Sequence, residues 1–238
     1  MSLHRKVPQA VVEREITIVA GKVSLEGSLA LPKSASGLVL FAHGSGSSRR
    51  SPRNRYVAQV LQAAGIGTLL FDLLTREEES IDRYTAELRF DIGLLAERLI
   101  GATRWVMSQP EMRGLKLGYF GASTGAAAAL VAAAKLPDAI SAVVSRGGRP
   151  DLAEDALDSV RAPTLLIVGG DDEAVIGMNR GALTKLRHAE KDLVIIPGAT
   201  HLFEEPGKLE EVARIAAEWF ARYLKSPVES DARSSIAS

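Results

Sequence analysis

The chain reads as an α/β protein: a three-layer α/β/α sandwich around a mostly parallel sheet of about eight strands, with an N-terminal antiparallel hairpin and no large cap domain. Two observations carry this. Short, continuously apolar runs alternate with amphipathic helical stretches, the pattern of parallel strands buried on both faces by crossover helices. The loops after several of those runs hold the chemically competent residues, as they do along the carboxyl rim of an open α/β sheet.

In chain order, residues 12–19 and 23–31 alternate polar and apolar side chains around Gly21-Lys22, which predicts the hairpin at the sheet's edge. Buried strands follow near 37–42, 66–72, 115–120, 139–145, 163–169 and 192–196. Helical periodicity lies near 54–64, 82–108, 124–136, 176–188 and 207–225, the second read as one continuous helix. Residues 146–162 hold one short helix after Pro150, too little for a separate cap, so the site is expected to be open or lightly covered. Residues 1–225 are read as one domain, and 226–238, where periodicity fades into Ser, Asp and Glu, as a mobile tail.

The most informative stretch is Gly121-Ala122-Ser123-Thr124-Gly125, lying between a strand run and a helical run. Strand, tight turn and helix are what G-x-S-x-G needs to lift a serine Oγ clear of a sheet, with glycines where a Cβ would strike a neighbour. Downstream, the strand run 163–169 spills into Asp171 and Asp172, and the run 192–196 is followed by His201. Nucleophile, acid and base thus occur in the order Ser123, Asp172, His201, each after a strand. Upstream, the strand ending at Ala42 runs into His43-Gly44-Ser45-Gly46-Ser47-Ser48, a loop able to turn a backbone N–H towards the site.

With those four pieces the chain resembles the α/β-hydrolase superfamily, and within it the small dienelactone-hydrolase-like branch, over about residues 11–225. The resemblance implies Ser123, Asp172 and His201 as a catalytic triad and the N–H groups of Ser45 and Thr124 as an oxyanion hole. Asp172 is preferred to Asp171 because Gly169-x-x-Asp172-x-x-Val175 matches the family spacing. His43, preceding the oxyanion loop, would brace it. Dienelactone hydrolase itself uses a cysteine nucleophile, whereas this chain has no cysteine, so thiol chemistry and the lactone substrate are not carried over. The implied activity is hydrolysis of a carboxylic ester, lactone or thioester without a cofactor. A small-molecule sensor with a slow or vestigial triad is the alternative.

Three arginines are candidates for holding an anionic substrate group: Arg53 and Arg55, in the run that continues the oxyanion loop, and Arg146, after another strand. The plainer reading is a solvated loop with Arg53 or Arg55 tied to Glu77–Glu79. Glu204 and Glu205 are read as favouring the N-terminus of the last helix. His4 and His188 sit in polar surroundings and are read as solvated.

Composition narrows the partners to a small molecule. The 29 basic residues balance 29 acidic ones, so no net field favours nucleic acid or an anionic membrane. No stretch approaches the roughly 20 apolar residues that span a bilayer. Residues 1–8 lack the apolar core of a signal peptide, which points to the cytoplasm. The four histidines, without i, i+4 pairing or cysteines nearby, imply no metal site. Oligomeric state is not legible in the sequence.

Overall fold

The computed structural model describes residues 11–225. The tail expected over 226–238 and the segment carrying His4 lie outside the described residues. Eight strands form one sheet: β1 (Glu13–Ala20), β2 (Val23–Ala30), β3 (Gly37–Ala42), β4 (Gly67–Phe71), β5 (Lys116–Ala122), β6 (Ile140–Arg146), β7 (Thr164–Gly169) and β8 (Lys191–Ile196). Their spatial order is β1-β2-β4-β3-β5-β6-β7-β8. The β1–β2 hairpin is antiparallel and β2 joins β4 antiparallel, whereas β4 to β8 pair in parallel. The sequence-based strand positions agree to within about two residues at each end, the uncertainty inherent in strand boundaries.

Among the described residues six α-helices cover the sheet: α1 (Pro52–Ala63), α2 (Arg76–Thr85), α3 (Ile92–Ser108), α4 (Thr124–Lys135), α5 (Glu173–Lys185) and α6 (Lys208–Leu224). Successive residues of the central strands face opposite ways, and this builds two cores. Leu40, Tyr119 and Val143 pack with α3 and α4 on one face. Phe41, Phe120 and Val144 pack with Val57, Phe203 and Phe220 on the other, the Phe41 and Phe120 rings 4.9 Å apart. At about 25 cal/mol per Å² of apolar surface, such two-sided burial is the main favourable term for the central strands.

Two elements depart from the sequence reading. The helix expected over 82–108 is two helices. Thr75 and Glu78 close a reciprocal capping box that starts α2, Ala86 ends it in the left-handed region (φ 58°), and Asp91 caps α3 by accepting from Leu94 N–H. Between them a 3₁₀ turn, Leu88–Phe90, hangs from the buried Asp82 carboxylate, which accepts from the N–H groups of Leu88 (2.6 Å) and Arg89 (3.2 Å) and from Arg89 Nε (2.6 Å). The short helix expected after Pro150 is a pair of tight turns over Pro150–Ser159, broken at Glu154 (φ 48°, ψ −124°).

Candidate active site

Parallel order brings the carboxyl ends of β3, β5, β7 and β8 to one rim, and the turn after β5 is tightly packed there. Ser123 sits between β5 and α4 at φ 50°, ψ −119°, a backbone conformation that a non-glycine residue adopts at a cost of order 1–3 kcal/mol. Only glycine fits on either side: a Cβ at Gly121 would lie 2.4 Å from Ala126 Cα, and one at Gly125 2.1 Å from the Ala42 carbonyl oxygen. The turn is tied across the sheet by Ser123 N–H donating to the Arg146 carbonyl (3.4 Å) and Arg149 N–H donating to the Ser123 carbonyl (3.1 Å). Because α4 begins at Thr124, the first N–H groups of that helix have no intrahelical acceptor and face the rim as donors.

β7 and β8 deliver the acid and the base. Asp172 stands at the amino end of α5 and His201 follows β8, with Nδ1 of the imidazole 2.7 Å from Asp172 Oδ2. Asp171 is exposed, and only its backbone joins the site, by donating to the Ala199 carbonyl (3.0 Å). The His201 ring edge lies over Gly147: a Cβ placed there would be 3.6 Å from His201 Cε1. No hydrogen bond joins Ser123 Oγ to His201 among the described residues, so the serine and the acid–base pair share the rim without being linked through that bond.

The loop after β3 is braced at both ends. His43 Nε2 accepts from Leu73 N–H (3.0 Å), which assigns the proton to Nδ1, and Nδ1 donates to the Gly44 carbonyl (3.0 Å). Burial pushes the His43 pKa below the ordinary imidazole value, keeping the ring neutral as that bonding requires. At the other end Arg49, with only 8% of its side chain exposed, pairs with Asp72 (2.6 Å), Glu26 (2.9 Å) and Glu15 (3.0 Å). Desolvation alone would lower the Arg49 pKa, but the hydrogen bonds it donates to Glu15 and Asp72 raise it above the usual guanidinium value. Ser45 N–H, expected to face the site as an oxyanion-hole donor, donates to Thr124 Oγ1 (3.0 Å).

Beside this loop opens a small pocket of about 40 Å³, lined by Ser45, Thr124, Leu73, Leu95, Asp82 and Arg89. Ser123 and His201 are not in its wall, and Thr124, next in chain to Ser123, connects the two. Arg89 is the lining cation that the sequence reading passed over: it lies in the turn between α2 and α3, which one continuous helix over 82–108 did not allow for. Its Nε and Nη2 are held by Asp82, while Nη1 would lie 3.9 Å from a side chain added at Gly46. The Thr75-x-x-Glu78 capping box was the legible sign that a helix begins at Arg76, earlier than expected.

The arginines singled out in the sequence are placed differently from their plain reading. Arg53 Nη1 pairs with Glu204 (2.7 Å) and Arg55 lies 3.8 Å from Glu13, so neither is tied to Glu77–Glu79. Glu204 and Glu205 lie in the loop before α6, and Glu205 accepts from Thr200 N–H and Oγ1–H. Arg146 is buried among Asn54, Phe203 and Arg53, and burial followed by repulsion from Arg53 pulls its pKa down to about 10. His188 is exposed, as read. Among the described residues no three His, Cys, Asp or Glu side chains cluster so as to hold a metal ion, and no helix is long and apolar enough to cross a membrane.

Comparison with known proteins agrees with this fold. A crystal structure of dienelactone hydrolase from Anabaena variabilis superposes with a TM-score of 0.89 at 63% identity, covering 90% of this chain and 99% of that one. Est1E from Butyrivibrio proteoclasticus has the same fold, with a TM-score of 0.71 at 18% identity over 87% of this chain and 98% of its own. A protein of Mycobacterium tuberculosis named putative phosphoribosyl transferase is 57% identical over 215 residues, 90% of this chain but 47% of that protein. The chain thus spans about half the length of the curated relatives it matches at this identity. The model of the dienelactone hydrolase family matches residues 25–226, most of the sequence, and with the fold and the rim described above this establishes that the chain belongs to the dienelactone hydrolase family of α/β hydrolases.

Proposed function

We propose that this chain is a serine hydrolase that cleaves a carboxylic ester, lactone or thioester through an acyl-enzyme on Ser123. The observation that carries the reading is the 2.7 Å Asp172–His201 pair on the same rim as the strained Ser123 turn. With Nδ1 bound to the carboxylate, Nε2 is the nitrogen left to act as base. Ser123 Oγ attacks the carbonyl carbon and its proton passes to His201. The tetrahedral oxyanion is met by Thr124 N–H, and the bond from the carbonyl carbon to the leaving oxygen or sulfur breaks as His201 returns the proton to it. Water then repeats the sequence, releasing the acid and restoring Ser123.

The contact between Ser45 and Thr124 modifies the expected oxyanion hole. Since Thr124 Oγ1 accepts from Ser45 N–H, its own O–H is left to donate, so an incoming oxyanion can be met by that hydroxyl, by Ser45 N–H once the hydroxyl turns away, or by both. Each donor of this kind typically contributes on the order of 3 kcal/mol. The name phosphoribosyl transferase belongs to a relative more than half of which lies outside the match, so the match does not carry that activity to this chain.

The direct test is Ser123→Ala assayed on 4-nitrophenyl acetate. A loss of about 10⁴ to 10⁶ in kcat with an unchanged thermal unfolding curve is expected, because triad members act as a unit. A variant that keeps most of its activity refutes the assignment.

A further inference from the structure

Arg146 is a buried cation with no counter-ion. It is 7% exposed, its Nε has no hydrogen-bond partner, and among the described residues no carboxylate lies within 4.0 Å of it. Among the described residues the one polar side chain it hydrogen-bonds is neutral Asn54, through Nη2 at a long 3.4 Å, and its guanidinium carbon stands 6.0 Å from the centre of the Phe203 ring. An isolated buried charge costs several kcal/mol, which is why such groups are normally paired.

The surroundings add positive charge. Asn54 is in the first turn of α1, so Arg146 meets the positive end of that helix, where a cation is disfavoured and an anion favoured. Arg53, from the same turn, is close enough to lower the Arg146 pKa, and its Nε is also buried without a partner. Its one carboxylate, Glu204, is bound to Nη1 from an exposed position (62% of the side chain) that an incoming anion can displace. The cluster adjoins the proposed nucleophile: Ala122 and Arg146 are paired across β5 and β6, Ser123 N–H donates to the Arg146 carbonyl, and Phe203 follows His201 by two residues.

We propose that Arg146 and Arg53, at the amino end of α1, form a subsite for a phosphate group carried by the substrate. Two guanidiniums and a helix terminus match a dianion better than a single carboxylate, and both arginines have N–H groups unspent for it. This assignment of substrate class rests on the hydrolase reading, but the binding step can be measured without turnover.

The test has two arms. Thermal unfolding of the wild type and of Ser123→Ala is followed in inorganic phosphate, succinate and chloride at equal ionic strength. Phosphate should raise Tm by about 3 °C or more over chloride in both, with succinate well behind. Arg146→Met should unfold at the same or a higher temperature in chloride, since an uncompensated charge is removed, and should lose the phosphate response. In the second arm KM is compared for 1-acetylglycerol 3-phosphate and monoacetylglycerol. The wild type should favour the phosphorylated ester by about tenfold or more, the ratio should fall towards one in Arg146→Met, and it should rise in the surface variant Glu204→Gln, which also serves if Arg146→Met does not fold.

Equal KM values for the two esters, succinate protecting as well as phosphate, or a Glu204→Gln variant with an unchanged ratio would each overturn the subsite. So would an Arg146→Met protein that folds but unfolds several degrees lower in chloride, for Arg146 would then be a structural group. If neither ester is cleaved while phosphate still protects in an Arg146-dependent way, the hydrolase reading fails and the anion site stands.

Discussion

Asp172→Asn against Asp171→Asn is the sharpest test of which carboxylate serves His201. The two acids are adjacent in sequence, but Asp172 Oδ2 is 2.7 Å from His201 Nδ1, whereas Asp171 is exposed and contacts the site through its backbone. A carboxylate at that distance can only accept, so it holds the imidazole with the proton on Nδ1 and the lone pair on Nε2. An asparagine amide can donate instead, which favours the other tautomer and leaves Nε2 protonated, unable to take the Ser123 proton. Loss of the acid in analogous triads costs about 10⁴ in kcat, or roughly 5.4 kcal/mol of transition-state stabilisation. Asp171→Asn removes an exposed charge with no hydrogen bond to the ring, and its effect should stay within about threefold. The assay is steady-state hydrolysis of 4-nitrophenyl acetate by both variants, with thermal unfolding to show that each is folded. A folded Asp172→Asn enzyme within tenfold of wild type, or an Asp171→Asn enzyme equally slow, would refute the reasoning.

Two further predictions concern the loop after β3. Arg49→Met should destabilise the fold by about 2 kcal/mol, lowering Tm by about 4–8 °C in thermal unfolding. The figure is set below the value for a wholly buried pair because Glu26 and Glu15 are 36% and 68% exposed. For His43, folding depresses the pKa, so below about pH 6.5 the unfolded chain binds a proton that the folded one resists. Stability should be full above that pH and fall as pH drops towards the folded pKa. Urea unfolding between pH 8 and 5 reads the slope, and a His43→Gln variant should lose that part of it.

The parts of the fold legible in the sequence are those set by local chemistry. Strands β3 to β7 are almost wholly buried, so each is a mainly apolar run bounded by turn residues. The residues after β3, β5, β7 and β8 could be ordered along one rim because parallel connectivity determines which strand ends lie together. What the sequence hid depends on which segments become neighbours. Arg49 finds Glu15 and Glu26 because β1, β2 and β4 are adjacent at the sheet's edge, and Arg53 finds Glu204 across 151 residues of chain. The break after α2 was missed because Ala86 carries no turn signature, although it adopts a left-handed conformation usually reserved for glycine or asparagine. The engagement of Ser45 by Thr124 turns on a side-chain rotamer that no spacing rule encodes.

The backbone strain at Ser123 has a consequence for how variants of this protein are read. Glycine would adopt φ 50°, ψ −119° without that strain, and it would leave no hydroxyl for chemistry. A chain altered there would therefore be made in normal amounts and resist heat as well as the parent, or better, while being inert. Yield and melting temperature report on the two cores and the braced loop and are blind to the residue on which the proposed activity depends. Only a probe that reacts with the serine itself can tell a live molecule from a well-folded dead one.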